Sequence, residues 1–248
     1  MSDNPTTADF GFRTVPRGAK RGMVGAVFTS VAARYDLMND LMSLGVHRLW
    51  KRRLITVLAP RPEARLLDLA GGTGDVSFGW QEAGGGAVVL ADINPAMLAI
   101  AERRALERAS IGGLSLVVAD AERLPLPERS FHAAAIAFGL RNCTDKQAVL
   151  REVRRVLKPG GRFFCLEFSR VEIAALAPIY DAWSFRVLPL LGRVVARDAA
   201  SYRYLAESIR TFPDAATLAA MLTEAGFARI GVERLSGGIA AIHSGWRL

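Results

Sequence analysis

Cysteine is almost missing from this chain: of 248 residues, only Cys143 and Cys165 carry a thiol. Two thiols make no disulfide framework and show no metal-ligand spacing, so stapled secreted folds and zinc modules are set aside. Histidine is nearly as scarce, with three residues. His47, His132 and His243 have no partner visible in the sequence, and each is read as structural. No apolar run reaches the roughly 18 residues that cross a bilayer. The opening M-S-D-N-P-T-T-A-D-F has neither the charged-then-apolar order of a secretory signal nor the acid-poor composition of a transit peptide. No repeat or low-complexity tract occurs. A cytoplasmic globular protein is the expectation, and 51% hydrophobic with 23% charged residues is ordinary for one. The length suits one well-buried α/β domain with an insertion.

Positive charge is in excess, at a formal +8. It clusters at Arg13–Arg21, Arg48–Arg53 and Arg151–Lys158. Nucleic acid or an anionic membrane surface would each answer such an excess. The last cluster is read more simply, as the exposed face and C-terminus of a helix whose dipole favours cations.

The richest stretch is R-L-L-D-L-A-G-G-T-G-D-V at Arg65–Val76. A short apolar strand runs into a glycine turn and then a helix, the nucleotide-facing corner of many α/β proteins. A dinucleotide fingerprint wants G-x-G-x-x-G/A. Gly72 and Gly74 supply its first two positions, but Ser77 holds the third, and Asp75 follows the last glycine directly. An acid facing phosphates about 4 Å away costs on the order of 1 kcal/mol in water and more in a drier cleft. Asp68 lies in the strand, and Asp92 and Asp120 end the next two apolar runs, at the sheet edge where ligands bind. Four acids around one cleft suit the sulfonium and ammonium of S-adenosylmethionine. A plain capping role for strand-end acids and an NAD-type oxidoreductase are the competing readings.

Residues 1–22 show no apolar period and read as a flexible tail, leaving 23–248 as a single domain. From Val24 to Ala59 apolar positions recur at helical spacing and form a helical cap. Strands then alternate with helices: Arg65–Ala70, Ala87–Asp92, Leu114–Ala119, Phe131–Phe138 and Arg162–Phe168, with helices at Pro95–Ala109 and Thr144–Leu157. That alternation implies a parallel sheet covered on both faces. Lys158-Pro159-Gly160-Gly161 is the expected turn between helix and strand. A helix over Pro213–Ala225 and a hairpin of Ala228–Leu235 and Ile239–Trp246 close the chain, with one of the two strands antiparallel. Residues 169–212 are too long for a simple connection. They mix Tyr180, Trp183, Phe185, Tyr202, Tyr204 and Phe212 with six arginines, as an insertion that caps a flat substrate would.

A-R-Y-D-L-M-N-D at 33–40, L-D-L-A-G-G-T-G-D at 67–75, A-D-I-N at 91–94, F-G-L-R-N at 138–142, R-V-L-K-P-G-G at 155–161 and S-Y-R-Y-L-A-E-S-I-R-T-F-P at 201–213 together resemble the UbiE/MenG family. These are the C-methyltransferases of ubiquinone and menaquinone biosynthesis, and the resemblance covers about residues 25–248. It implies a class I S-adenosylmethionine-dependent methyltransferase fold, Rossmann-like, of seven strands with a reversed last strand. It also implies methyl transfer to a ring carbon of a polyprenylated benzoquinol or naphthoquinol. Cofactor contacts carried over by the motifs are Gly71 and Thr73 in the turn, Asp92 and Ile93 at the ribose, Asp120 and Ala121 at the adenine, and Ala137. Ala137 stands where the family often has Ser, which removes a hydroxyl contact. His132 stands where Asp is common.

A ring carbon beside a phenol is a poor nucleophile until the phenol ionises. Arg141, after the fourth strand, is the candidate to favour the phenolate by charge or to orient a proton-accepting water. A guanidinium is itself no base. Asn142 beside it would fix a quinol oxygen. A structural alternative pairs Arg141 with Asp145 or another acid. Cys143 reads as a small buried neighbour. The prenylated substrate calls for peripheral contact with an anionic membrane, and no nucleic-acid partner is expected. A homo-oligomer or a biosynthetic complex is left open.

Overall fold

Ordered structure begins well before the expected domain boundary. The computed structural model describes residues 6–31, 39–40, 43–108, 112–171, 183, 187 and 199–248. Within the supposed tail, β1 (Thr7–Phe10) and β2 (Arg13–Pro16) pair as an antiparallel hairpin, and α1 (Arg17–Val31) starts directly after it. The sequence hides this because glycines 18, 22 and 25 interrupt the apolar period of α1. Gly11 turns the hairpin with φ +60°, and a side chain there would collide with the Glu207 carboxylate. Glycine is therefore required on two counts.

The cap continues in α2 (His47–Leu58), whose buried residues His47, Trp50, Leu54 and Leu58 fall at helical spacing. The main sheet then follows: β3 (Leu66–Leu69), α3 (Asp75–Glu82), β4 (Val88–Asp92), α4 (Pro95–Glu107), β5 (Leu114–Val118), β6 (Phe131–Ala137), α5 (Lys146–Val156) and β7 (Leu157–Phe168). After it come α6 (Ala199–Thr211), α7 (Ala215–Glu224), β8 (Ala228–Leu235) and β9 (Ala240–Trp246). Strand order is β5-β4-β3-β6-β7-β9-β8. The β3, β4, β5, β6 and β7 neighbours run parallel, and β9 is antiparallel to both β7 and β8. β9 is thus the reversed last strand, as expected. One boundary differs. β7 starts at Leu157, with a register shift opposite Phe131 and Ala133. The Lys-Pro-Gly-Gly segment is therefore an irregularity within the strand, and not a connection ahead of it.

Alternate residues of each strand feed two cores. Leu66, Ala133, Ala135, Phe164 and Leu166 face the side that holds Trp50, Leu54 and Trp80. Leu67, Ala134, Ile136, Phe163 and Cys165 face Val149, Val153, Leu218 and Leu222 of α5 and α7. A strand buried on both faces must be apolar throughout, which is why these runs show no alternation. Helix starts follow from their caps: Asn94, Asp145 and Asp214 each accept a backbone N–H from the first turn of α4, α5 and α7. Chain order reverses between β3 and β6, which fixes where a ligand cleft opens. The insertion residues Tyr180, Phe185, Arg186, Arg193 and Arg197 lie outside the described residues. Tyr202 and Tyr204 are buried on α6.

Candidate active site

The turn after β3 passes through left-handed backbone at three positions. Ala70, Gly72 and Gly74 have φ of +51°, +56° and +91°. Such a turn needs a restraint, and Asp92 supplies it. Its Oδ2 accepts the Gly72 N–H at 2.9 Å, and its Oδ1 accepts the Asn94 N–H at 2.8 Å. Burial lifts the Asp92 carboxyl above its ordinary value, against the pull of those backbone donors.

A cavity opens at this edge, beneath α1. Asp92, Ile93, Asp120 and Ala121 line it together, and so does Asn142 on the far side. Apolar walls come from Phe28, Met97 and Phe138, none of which the sequence marks as a site residue. α1 is fastened over the cavity by ions: Arg21 pairs with Asp120, Arg17 with Asp145 at 2.8 Å, and Lys20 donates to the Cys143 carbonyl at 3.1 Å. Lys20 is 3% exposed, and burial together with Lys146 brings its ammonium down to about 8.

A second, smaller recess on the other side of the turn is lined by Gly71, Thr73, Ala137, Asp68 and Asp75. The seven expected cofactor contacts are therefore divided between two adjoining hollows, with Ala70 bordering both. Asp68 is completely buried and accepts the Ser77 N–H and hydroxyl through Oδ2, while its Oδ1 has no partner among the described residues. Burial raises that carboxyl to about 7.

Two expectations need correction. Asp75 does not project bare charge into the cleft, because Lys51 meets it at 2.7 Å and Arg104 at 2.9 Å. Burial opposes its ionisation, yet the two cations hold it down at about 2. The repulsion of phosphates inferred from Asp75 therefore falls away. Arg141, for its part, does not join Asn142 on the cavity wall. Its side chain is 4% exposed and pairs at 3.0 Å with Glu167, itself 1% exposed, and not with Asp145. The sequence sign of Glu167 is a lone acid inside the apolar run F-F-C-L-E-F, which marks a buried pair. Each of the three histidines has a hydrogen-bond partner within the protein. His47 meets Ser43 at 2.8 Å, His243 the Ala215 carbonyl at 2.9 Å, and His132 accepts the Arg65 N–H at 2.9 Å.

The model of the ubiE/COQ5 methyltransferase family matches residues 16–247. The chain belongs to that family. A member from Acidiphilium cryptum, the ubiquinone/menaquinone biosynthesis C-methyltransferase UbiE, is 64% identical over the full length of both chains. The protein of the same name from Pectobacterium carotovorum is 52% identical over 99% of each. Among solved structures, a SAM-dependent methyltransferase from Thermotoga maritima superposes with a TM-score of 0.64 at 19% identity, covering 91% of this chain and all of its own. That likeness concerns the fold, which is the class I methyltransferase architecture. Family membership takes in residues 16–22 as well, in keeping with the ordered hairpin and α1.

Proposed function

We propose that the protein methylates a ring carbon of a polyprenylated benzoquinol or naphthoquinol with S-adenosylmethionine, in ubiquinone or menaquinone biosynthesis. The observation that carries this reading is 64% identity, end to end, to a protein named for that activity. The donor set of the two hollows fits the cofactor. Asp92 suits vicinal ribose hydroxyls, Asp120 and Ala121 an adenine edge, and Ile93 with Met97 the flat apolar body. Gly71, Thr73 and Ala137 would hold the amino-acid end. The unpartnered, buried Oδ1 of Asp68 gives an ammonium the partner it needs. When bound, the cofactor would supply an electrophilic methyl to the ring carbon, with the C–S bonding electrons left on sulfur and the displaced ring proton passed to water.

Asn142 lies at the cavity and offers its amide to a quinol oxygen, favouring the ionised phenol. Arg141 acts from behind. Its backbone N–H and guanidinium both go to Glu167, which fixes the short turn that carries Asn142. Burial pushes the Cys143 thiol up to about 12, which disfavours the thiolate that a nucleophile would need.

The prenyl tail requires access from a bilayer, and no helix among the described residues is long and apolar enough to cross one. We infer peripheral contact through the N-terminal elements. Phe12, Leu44 and Leu49 are 62%, 71% and 59% exposed there, with Arg13 next to Phe12 in sequence and Arg52 close to Leu49. Apolar side chains among cations suit an anionic lipid surface.

The deciding experiment is methyl transfer to the two demethylated quinols, side by side, with calorimetric titration by S-adenosylmethionine, NAD and ATP. Methylation of either quinol and selective binding of S-adenosylmethionine are expected. Binding of NAD alone would return the chain to the oxidoreductases.

A further inference from the structure

An asparagine amide has two unlike ends, and which end faces a ligand decides whether it donates or accepts. In this structure the choice is made by α6. The Tyr204 hydroxyl donates to Asn142 Oδ1 at 3.1 Å, which occupies the carbonyl end. The NH2 end is then the one left for the cavity that Asn142 lines. We propose that Tyr204 is a positioning residue that sets Asn142 as a hydrogen-bond donor toward the quinol oxygen. The inference rests on the reading of Asn142 given above.

Three observations make Tyr204 suited to the task. It is 4% exposed, so water does not compete for its hydroxyl. Burial also raises its phenol above the ordinary value, so it remains a donor across the working range. Its ring is clamped from behind by the N-terminal hairpin. Phe10 stacks on it with centroids 4.2 Å apart and planes 19° from parallel, and Glu207, one turn along α6, accepts the Phe12 N–H at 3.1 Å. A stacked, buried ring leaves its hydroxyl little freedom. The hairpin mistaken for a tail is thus the outer support of a chain that runs Phe10, Tyr204, Asn142 and ends in the cavity.

Donation, not acceptance, is what the chemistry asks for. A phenolate oxygen gains from an N–H and is repelled by a carbonyl. An amide turned the other way would oppose the ionisation that makes the ring carbon nucleophilic.

Tyr204→Phe keeps the stacked ring and removes only the hydroxyl, so it tests the bond without emptying the core. The expected result is a fall of about tenfold in kcat, with S-adenosylmethionine affinity by calorimetry within twofold and a melting temperature within a few degrees of the parent. In an Asn142→Ala background, Tyr204→Phe should cost nothing more, because the residues act as a unit. Asn142→Asp, which can still accept from Tyr204 but cannot donate, should be as impaired as Asn142→Ala. Parental turnover in Tyr204→Phe, beside an impaired Asn142→Ala, overturns the proposal. A further tenfold loss in the double variant does so too. Parental turnover in Asn142→Ala overturns instead the reading of Asn142 on which it rests.

Discussion

Arg141 and Glu167 meet 3.0 Å apart with side chains 4% and 1% exposed, and each of the two Glu167 oxygens takes a further backbone N–H, from Arg141 and from Phe168. A pair this deep is held together by mutual need. Either partner left alone is a buried charge, which costs roughly 3–5 kcal/mol. The guanidinium also lies 5.4 Å from the Phe168 ring, so its plane is fixed as well as its charge.

Arg141→Ala should therefore fail in two measurable ways. Stability in denaturant should drop by about 3–5 kcal/mol, because Glu167 is stranded. Methyl transfer should fall at least about tenfold, equivalent to roughly 1.4 kcal/mol of barrier, while cofactor affinity barely changes. Adding Glu167→Gln removes the stranded charge and should recover much of the stability but little turnover. Turnover that follows stability back up would leave Arg141 a purely structural residue.

Asp92 is predicted to matter through its position as much as its charge. Asp92→Ala deletes the acceptor that restrains Gly72 and the proposed partner of the ribose hydroxyls. Cofactor binding by calorimetry should weaken by about 1–3 kcal/mol. Asp92→Asn keeps the shape but presents one acceptor oxygen where there were two, and should fall between. Equal affinity in all three proteins would move the ribose contact elsewhere.

Much of this architecture is legible in the sequence alone. Strands buried on both faces announce themselves as unbroken apolar runs, and caps such as Asn94-Pro95 mark helix starts. Side-chain direction was harder to see. Asp68, Asp75, Asp92 and Asp120 look alike in sequence, but only the last two reach the larger cavity. Asp75 turns to Lys51 and Arg104, residues 24 and 29 positions away, and nothing local signals such a partner. The hairpin is not legible in the sequence because two four-residue strands leave too few positions for a period to emerge. Tyr204 stood within a recognised motif, yet its bond to Asn142 spans 62 residues and is visible only in three dimensions.

The Asp75 cluster carries a pH signature. Its carboxyl is held at about 2 against an ordinary 3.8. A depressed carboxyl contributes stability that is fully present above the unfolded value and is lost as pH falls through the folded one. Unfolding free energy should thus decline by about 2 kcal/mol between roughly pH 4 and pH 2 on this account alone. Asp75→Asn should flatten that part of the curve and lower stability at neutral pH, where Lys51 and Arg104 would lose the carboxylate between them. Denaturant melts of both proteins from pH 2 to 7 measure it, and parallel curves would dissolve the assignment.

Membrane contact is predicted to be electrostatic first and apolar second. Many of the 32 Lys and Arg are paired within the protein, as Arg53 with Glu233 and Arg155 with Glu152 illustrate, and the 24 Asp and Glu leave a net excess of eight. The attraction should therefore come from few residues and be screened within about 8–10 Å at physiological salt. Sedimentation with vesicles containing acidic lipid should show binding that weakens as salt rises, and none with neutral vesicles. Leu49→Asp removes an exposed apolar side chain and adds an opposing charge beside Arg48 and Arg52. It should reduce vesicle binding severalfold and leave cofactor affinity unchanged, since Leu49 is not among the cavity-lining residues. Salt-sensitive binding to nucleic acid, with none to acidic vesicles, would assign the charge to a different partner and remove the membrane from the proposal.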